Sequence, residues 1–292
     1  MKPILSLHAP PAGHWVGDGF PVRSLFTYND LGQRINPFLL LDYGGPMHFP
    51  PTTARRGVGQ HPHRGFETVT IVYHGEVEHR DSTGGGGIIG PGDVQWMTAA
   101  AGILHEEFHA PAFARSGGLF EVFQLWVNLP AEHKQAQPRY QTLQRAGIPV
   151  TALPGGGHLR LIAGEYGGQR GPACTFSPMN VWDGHVAAET VVDLELPAGH
   201  LAVVVARRGT LRLNESASLE EAHLAHLDTA GTRVRLAAGA GAGTDFLLLS
   251  APPLEEPVVG QGPFVMNDAT EIRQAFADFR AGRFGQMPAA QR

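Results

Sequence analysis

Three histidines and a glutamate have the types and the spacing to hold a metal ion. His61 and His63 stand two apart in HPHRGFETVTIV, at the head of a run rich in β-branched and aromatic residues. About forty residues on, His105 and Glu107 repeat that gap in ILHEE, after the turn signal Pro91-Gly92-Asp93. Side chains i and i+2 of a strand leave the same face, about 6.6–6.8 Å apart. Two such pairs on neighbouring strands bring three imidazoles and a carboxylate around one point. Imidazole and carboxylate suit one first-row divalent ion, and the donor types permit Fe, Mn, Co, Ni or Cu. No thiolate lies nearby, which argues against structural zinc of the Cys-rich kind. Four protein donors on a six-coordinate ion leave two positions for water, substrate or dioxygen. A lone histidine on a strand is more often a hydrogen-bonded structural residue. The repeated gap is what carries the metal reading.

The elements that must position these residues are strands. His61 to Tyr73 reads as one strand, with Phe66, Val69, Ile71 and Tyr73 as β-formers. Val94 to Thr98 follows a turn, Ala99 to Gly102 bends the chain, and Ile103 to Phe108 is the second ligand-bearing strand. The glycine run Gly84 to Gly87 lacks the GK[ST] ending of a phosphate loop and reads as a turn. Phe120 to Leu129 alternates as a strand and Pro130 ends it; residues 131–150 form a polar connector. From His158 short strands recur, so a second β-rich unit is expected. The division falls at 1–135, with the metal, and 136–292, without it and ending in a helix. That helix starts at Asp268, a cap with Glu271 three residues on. Ile272, Phe276 and Phe279 form its apolar stripe, and Gly282 stops it.

The totals narrow the function classes. The 292 residues carry 22 basic and 27 acidic side chains, a formal charge of -5. That balance lacks the basic footprint of a nucleic-acid binder, so no direct nucleic-acid contact is expected. No stretch approaches the roughly 20 apolar residues of a membrane span. The opening MKPILSLHAPPAGHW lacks the apolar run and cleavage site of a signal peptide. The single cysteine, Cys174, excludes an intrachain disulfide framework, reads as a buried or partly buried thiol, and suits a reducing cytoplasm.

HPHRGFETV, GDVQWMTAAAGILHEE, QLWVNLP followed by Pro138-Arg139-Tyr140-Gln141, and GPFVMN at 262–267 together resemble the pirin family of the cupin superfamily. The resemblance implies an all-β bicupin: two antiparallel cupin-type β-barrels packed together, with metal in the N-terminal barrel and a C-terminal α-helix. It implies iron as the usual metal, with His61, His63, His105 and Glu107 as ligands. The general cupin pattern takes its carboxylate from the first motif, where Glu67 stands. The pirin pattern takes it from Glu107. Parity puts Glu67 on the face of His61 and His63 as well, so strand periodicity alone leaves both open. Ala100 stands where cupins often carry proline.

Several members of the family resemble quercetin 2,3-dioxygenases, which open the heterocyclic ring of a flavonol with dioxygen and release carbon monoxide. The resemblance then implies a small aromatic substrate whose 3-hydroxyl meets the metal, with Glu107 as the proton acceptor. Phe66, Trp96, Met97 and Phe108 are the candidates for an apolar wall around it. Other members act as co-regulators, with the metal as a redox-sensitive switch. That alternative calls for a protein partner and no physiological catalysis.

Overall fold

Short β-branched and aromatic runs cut by glycine and proline give many brief strands and tight turns. The computed structural model, which describes residues 1–288, is built almost wholly of them. Its chain divides into two compact units. One comprises Ala12–Arg145 with the chain from Leu254 onward; the other comprises Met1–Pro11 with Ala146–Pro253.

In the first unit a seven-stranded antiparallel sheet runs in the order Arg139–Leu143, Val94–Thr98, Phe66–His74, Gly118–Asn128, Phe38–Phe49, Phe20–Phe26, His14–Val16. A four-stranded antiparallel sheet runs Gly57–His63, Ile103–His109, Val77–Asp81, Gly86–Ile89. The last of these includes two glycines expected in a turn. The stretch expected as one strand from His61 to Tyr73 is two strands in different sheets. Arg64-Gly65 separates them, with Gly65 at φ 92°, where a Cβ would collide with the Val265 carbonyl oxygen. The chain therefore crosses between sheets directly after His63.

The second unit repeats the seven-plus-four pattern. Its larger sheet runs Ile4–His8, Leu224–Leu227, Leu201–Arg208, Thr244–Ala251, Asn180–Val186, His158–Ala163, Val150–Ala152. Val191–Glu195, Arg233–Ala238, Leu211–Leu213 and Ala217–Leu219 form the smaller. Trp182, Leu194, Val204, Leu213, Leu236 and Phe246 fill its interior. Cys174 is exposed, contrary to expectation, in the irregular stretch before Asn180–Val186.

The expected cut after residue 135 is corrected at three places. Arg139–Leu143 pairs with Val94–Thr98, so the first unit extends to Arg145. Ile4–His8 pairs with Leu224–Leu227 and belongs to the second. The C-terminal helix, Ala269–Arg280, belongs to the first. Asp268 caps it by accepting from the Thr270 and Glu271 amides, and Glu271 accepts from the Asn267 amide at 2.9 Å. Ile272 and Ala275 are buried against Leu104, Phe264, Met266 and Phe284. Phe276 packs at the edge of that cluster, whereas Phe279, expected in the stripe, is 38% exposed. Asp278 fixes the helix to the turn after His63 through a 2.6 Å ion pair with Arg64. No helix among the described residues is long and apolar enough to cross a membrane.

Candidate metal centre and its cavity

The two histidine-bearing segments lie side by side. Gly57–His63 and Ile103–His109 pair antiparallel, with His61 opposite His105 and His63 opposite Ile103. Directly opposed residues share a face. Beyond His105 the register slips, and Glu107 stands opposite Val58. That bulge re-aims the strand at the carboxylate. The ring centroids of His61 and His105 are 4.1 Å apart, those of His63 and His105 4.7 Å, and those of His61 and His63 4.9 Å. One candidate ligand nitrogen from each of the three lies within 4.8 Å of the others.

The protonation states suit a metal. Burial lowers the pKa of both His63 and His105 well below the ordinary histidine value, and neighbouring imidazoles add to it. Metals bind the neutral ring, so these shifts favour the ligating form. His61 Nδ1–H donates to the Gly59 carbonyl at 2.8 Å, which leaves Nε2 free to ligate. His105 Nδ1 is 3.0 Å from His79 Nε2. His105 Nε2 is buried with no hydrogen-bond partner among the described residues. A buried ring nitrogen without a partner costs free energy, and a bound cation would remove that cost at His105 Nε2. The donor set therefore fits a divalent first-row ion.

Glu107 is 3% exposed and accepts from Gln124 Nε2 at 2.9 Å and Thr70 Oγ1 at 3.3 Å. Burial raises its pKa, and His61 opposes the rise. Glu67 lies elsewhere. It sits in the other sheet, accepts from Thr98 Oγ1 at 2.6 Å and faces Arg139 at 4.0 Å. Burial pushes its carboxyl up to about 7. Strand parity does not carry Glu67 onto the histidine face, because Arg64-Gly65 separates Gly57–His63 from Phe66–His74. Glu106 points the opposite way from Glu107 and pairs with Arg55 at 2.9 Å and Arg80 at 2.7 Å.

A cavity of about 410 Å³ opens on the cluster, with His61, His63 and Glu107 in its wall. Phe20, Val22, Leu40, Val58, Val122 and Trp126 supply the apolar lining. None of the four expected wall residues is among the lining residues. Trp96 and Met97 are fully buried core, and Phe108 packs under the Arg55 guanidinium at 3.7 Å. Phe66 stands behind the wall, stacked on Trp126 at 4.2 Å and edge-on to His63 at 5.1 Å. Apart from Val58, on the strand of His61, the apolar wall comes from strands remote in sequence from the ligands, which nearness to the motifs does not find.

His79 escaped the sequence reading, although its strand gave a signal. In VEHRD the buried residues Val77, His79 and Asp81 alternate with exposed or half-buried ones. His79 stands opposite Glu107 and Asp81 opposite His105, on the face of the cluster. The His79 ring stacks on Tyr140, centroids 5.0 Å apart and planes at 10°.

An antiparallel barrel that groups three histidines beside a cavity, with a buried carboxylate in the cavity wall, has the architecture of a cupin whose donors could hold a metal, and a second unit of the same architecture accompanies it. The comparisons refine that class. Two family models match: Pirin over residues 19–127 and the Pirin C-terminal cupin domain over residues 181–285. The chain belongs to the pirin family. A Pseudomonas aeruginosa protein named "Putative quercetin 2,3-dioxygenase" is 58% identical over 97% of this chain and 99% of its own. A crystal structure of quercetin 2,3-dioxygenase from Acinetobacter baumannii superposes with TM-score 0.95 at 53% identity, covering 98% of this chain and 99% of that one. A bacterial pirin from Escherichia coli in complex with nickel(II) shares the fold at TM-score 0.65 and 18% identity, over 85% of this chain and 99% of that one.

Proposed function

We propose that this chain is a cytoplasmic metal-dependent dioxygenase, with iron as its native metal, that cleaves flavonols such as quercetin. The observation that carries the reading is a single cavity in which His61, His63 and Glu107 face an apolar wall containing Trp126. Its volume of about 410 Å³ falls in the range of small-molecule sites. The names of two close relatives point to the same substrate class.

His61, His63, His105 and Glu107 would hold the metal. When bound, it supplies Lewis acidity toward a substrate hydroxyl and a redox centre for dioxygen. The rest falls to the chain. Glu107 accepts the proton of the flavonol 3-hydroxyl at a carboxylate oxygen. Its raised pKa makes it a better proton acceptor than a surface glutamate. Gln124 and Thr70 each hold one of its oxygens and fix its plane. Trp126, Phe20, Val22 and Val122 confine a flat ring system and exclude water from it.

The test is product analysis on the metal-loaded protein with quercetin and dioxygen. Ring cleavage with release of carbon monoxide, lost together with metal in His61→Ala, supports the reading. Turnover retained by a verified metal-free variant contradicts it. Stoichiometric metal binding without turnover moves the weight to a regulatory role with a protein partner.

A further inference from the structure

One row of polar side chains crosses the large sheet of the metal-bearing unit inside its cavity. Ser24 stands opposite Asp42, Asp42 opposite Gln124, and Gln124 opposite Thr70. Opposed residues on paired strands share a face, and all four line the cavity. Two steps along the strands to either side, the lining turns apolar: Val22 and Val122 on one flank, Leu40 and Trp126 on the other. A polar line between two apolar bands suits a flat aromatic ring with hydroxyls on its edge.

The two ends of the row differ. Gln124 and Thr70 are committed to Glu107. Asp42, one strand beyond Gln124 and so about 5 Å further across the sheet, has Ser24 as its donor, at 2.5 Å to Oδ1. An ionised carboxylate accepts at both oxygens, and Oδ2 has no hydrogen-bond partner among the described residues. Burial raises the Asp42 pKa; the Ser24 hydroxyl and His14 oppose the rise. A ligand hydroxyl donating to Oδ2 would repay part of that desolvation.

We propose that Asp42 is a substrate-recognition residue whose carboxylate accepts a hydrogen bond from a ring hydroxyl at the end of a polyhydroxylated aromatic remote from His61 and Glu107. The proposal rests on the flavonol reading and deepens it: the preferred substrates carry free hydroxyls on the ring that reaches Asp42. A site built to bond a hydroxyl rejects the analogue that lacks it more strongly than an apolar pocket does.

The test compares quercetin with galangin, the same flavonol without hydroxyls on the pendant ring. Binding to the metal-loaded protein is followed anaerobically by tryptophan fluorescence, so that no turnover intervenes. The wild type is expected to hold quercetin at least about ten-fold tighter. Asp42→Ala should abolish that preference by weakening quercetin and leaving galangin within about two-fold. Asp42→Asn, which keeps an acceptor oxygen, should retain part of it. Thermal melting checks that each variant is folded. If the wild type holds both flavonols equally, or folded Asp42→Ala and Asp42→Asn loosen both alike, Asp42 is a structural partner of Ser24 and the proposal falls while the flavonol reading stands. If the wild type binds neither flavonol, both fall.

Discussion

A histidine whose Nδ1–H is held by an acceptor offers Nε2 to a metal in a fixed orientation. With its Nε2 on a metal, His105 would donate its Nδ1–H to His79 Nε2, 3.0 Å away and fully buried. His79→Asn should therefore loosen His105 without removing a ligand. Metal affinity should fall about 10- to 100-fold, measured by competition with a chromogenic chelator, with the far-UV spectrum unchanged. Glu67 makes a different prediction. Its pKa rises from 4.5 to about 7 on folding. Below about pH 4.5 the carboxyl is protonated in both states and costs nothing. As pH climbs to about 7 the unfolded chain ionises first, and stability is lost. Glu67 is 1% exposed, and the loss integrates to about 3 kcal/mol. Glu67→Gln should remove this slope, so urea midpoints should show its advantage over wild type growing from pH 4.5 to pH 8. At this scale the grouping of His61, His63 and His105 is legible, because residue type and a gap of two are both local. The cavity wall is not, because Phe20, Val22, Val122 and Trp126 meet His61 only through strand order.

The elements around the site are fixed by a few contacts that no periodicity announces. The chain leaves His63 and turns at Gly65 in a conformation that L side chains rarely adopt. The buried ammonium of Lys134 then donates to the Gly65 carbonyl at 2.7 Å, Asn128 Oδ1 at 2.6 Å and the Val265 carbonyl at 3.0 Å. It ties the turn after His63, the end of Gly118–Asn128 and Phe264–Met266 together. Lys134→Met would leave three acceptors without their donor. A loss of about 3 kcal/mol is expected in denaturant unfolding, whereas a change within about 0.5 kcal/mol would show that the clamp is dispensable. The C-terminal helix was legible from its cap and from Ile272 and Phe276. Its partner was not, because a helical stripe records that a face is buried and says nothing of which surface covers it. The seven-plus-four pattern of both units had the same standing: short strands with turn signals predict sheets, but strand order is set by pairings between segments far apart in sequence.

At the scale of the whole molecule, the same sheet plan serves two interiors. The second unit fills its interior with Trp182, Leu236, Phe246 and their neighbours, while the first keeps a cavity beside three histidines. A bound metal should therefore act on stability as well as on chemistry. A ligand at 100 times its dissociation constant stabilises the folded state by about 2.7 kcal/mol. The melting temperature should rise on metal addition in the wild type and stay unchanged in His63→Ala. The most direct test of the central claim is oxygen consumption with quercetin after anaerobic reconstitution, running Fe, Mn, Co, Ni and Cu side by side with His63→Ala. Uptake that requires one metal per chain, releases carbon monoxide and disappears in the variant is the predicted result. Equal uptake by the metal-free variant, or none with any metal in a fully loaded wild type, would contradict a dioxygenase centred on His61, His63, His105 and Glu107.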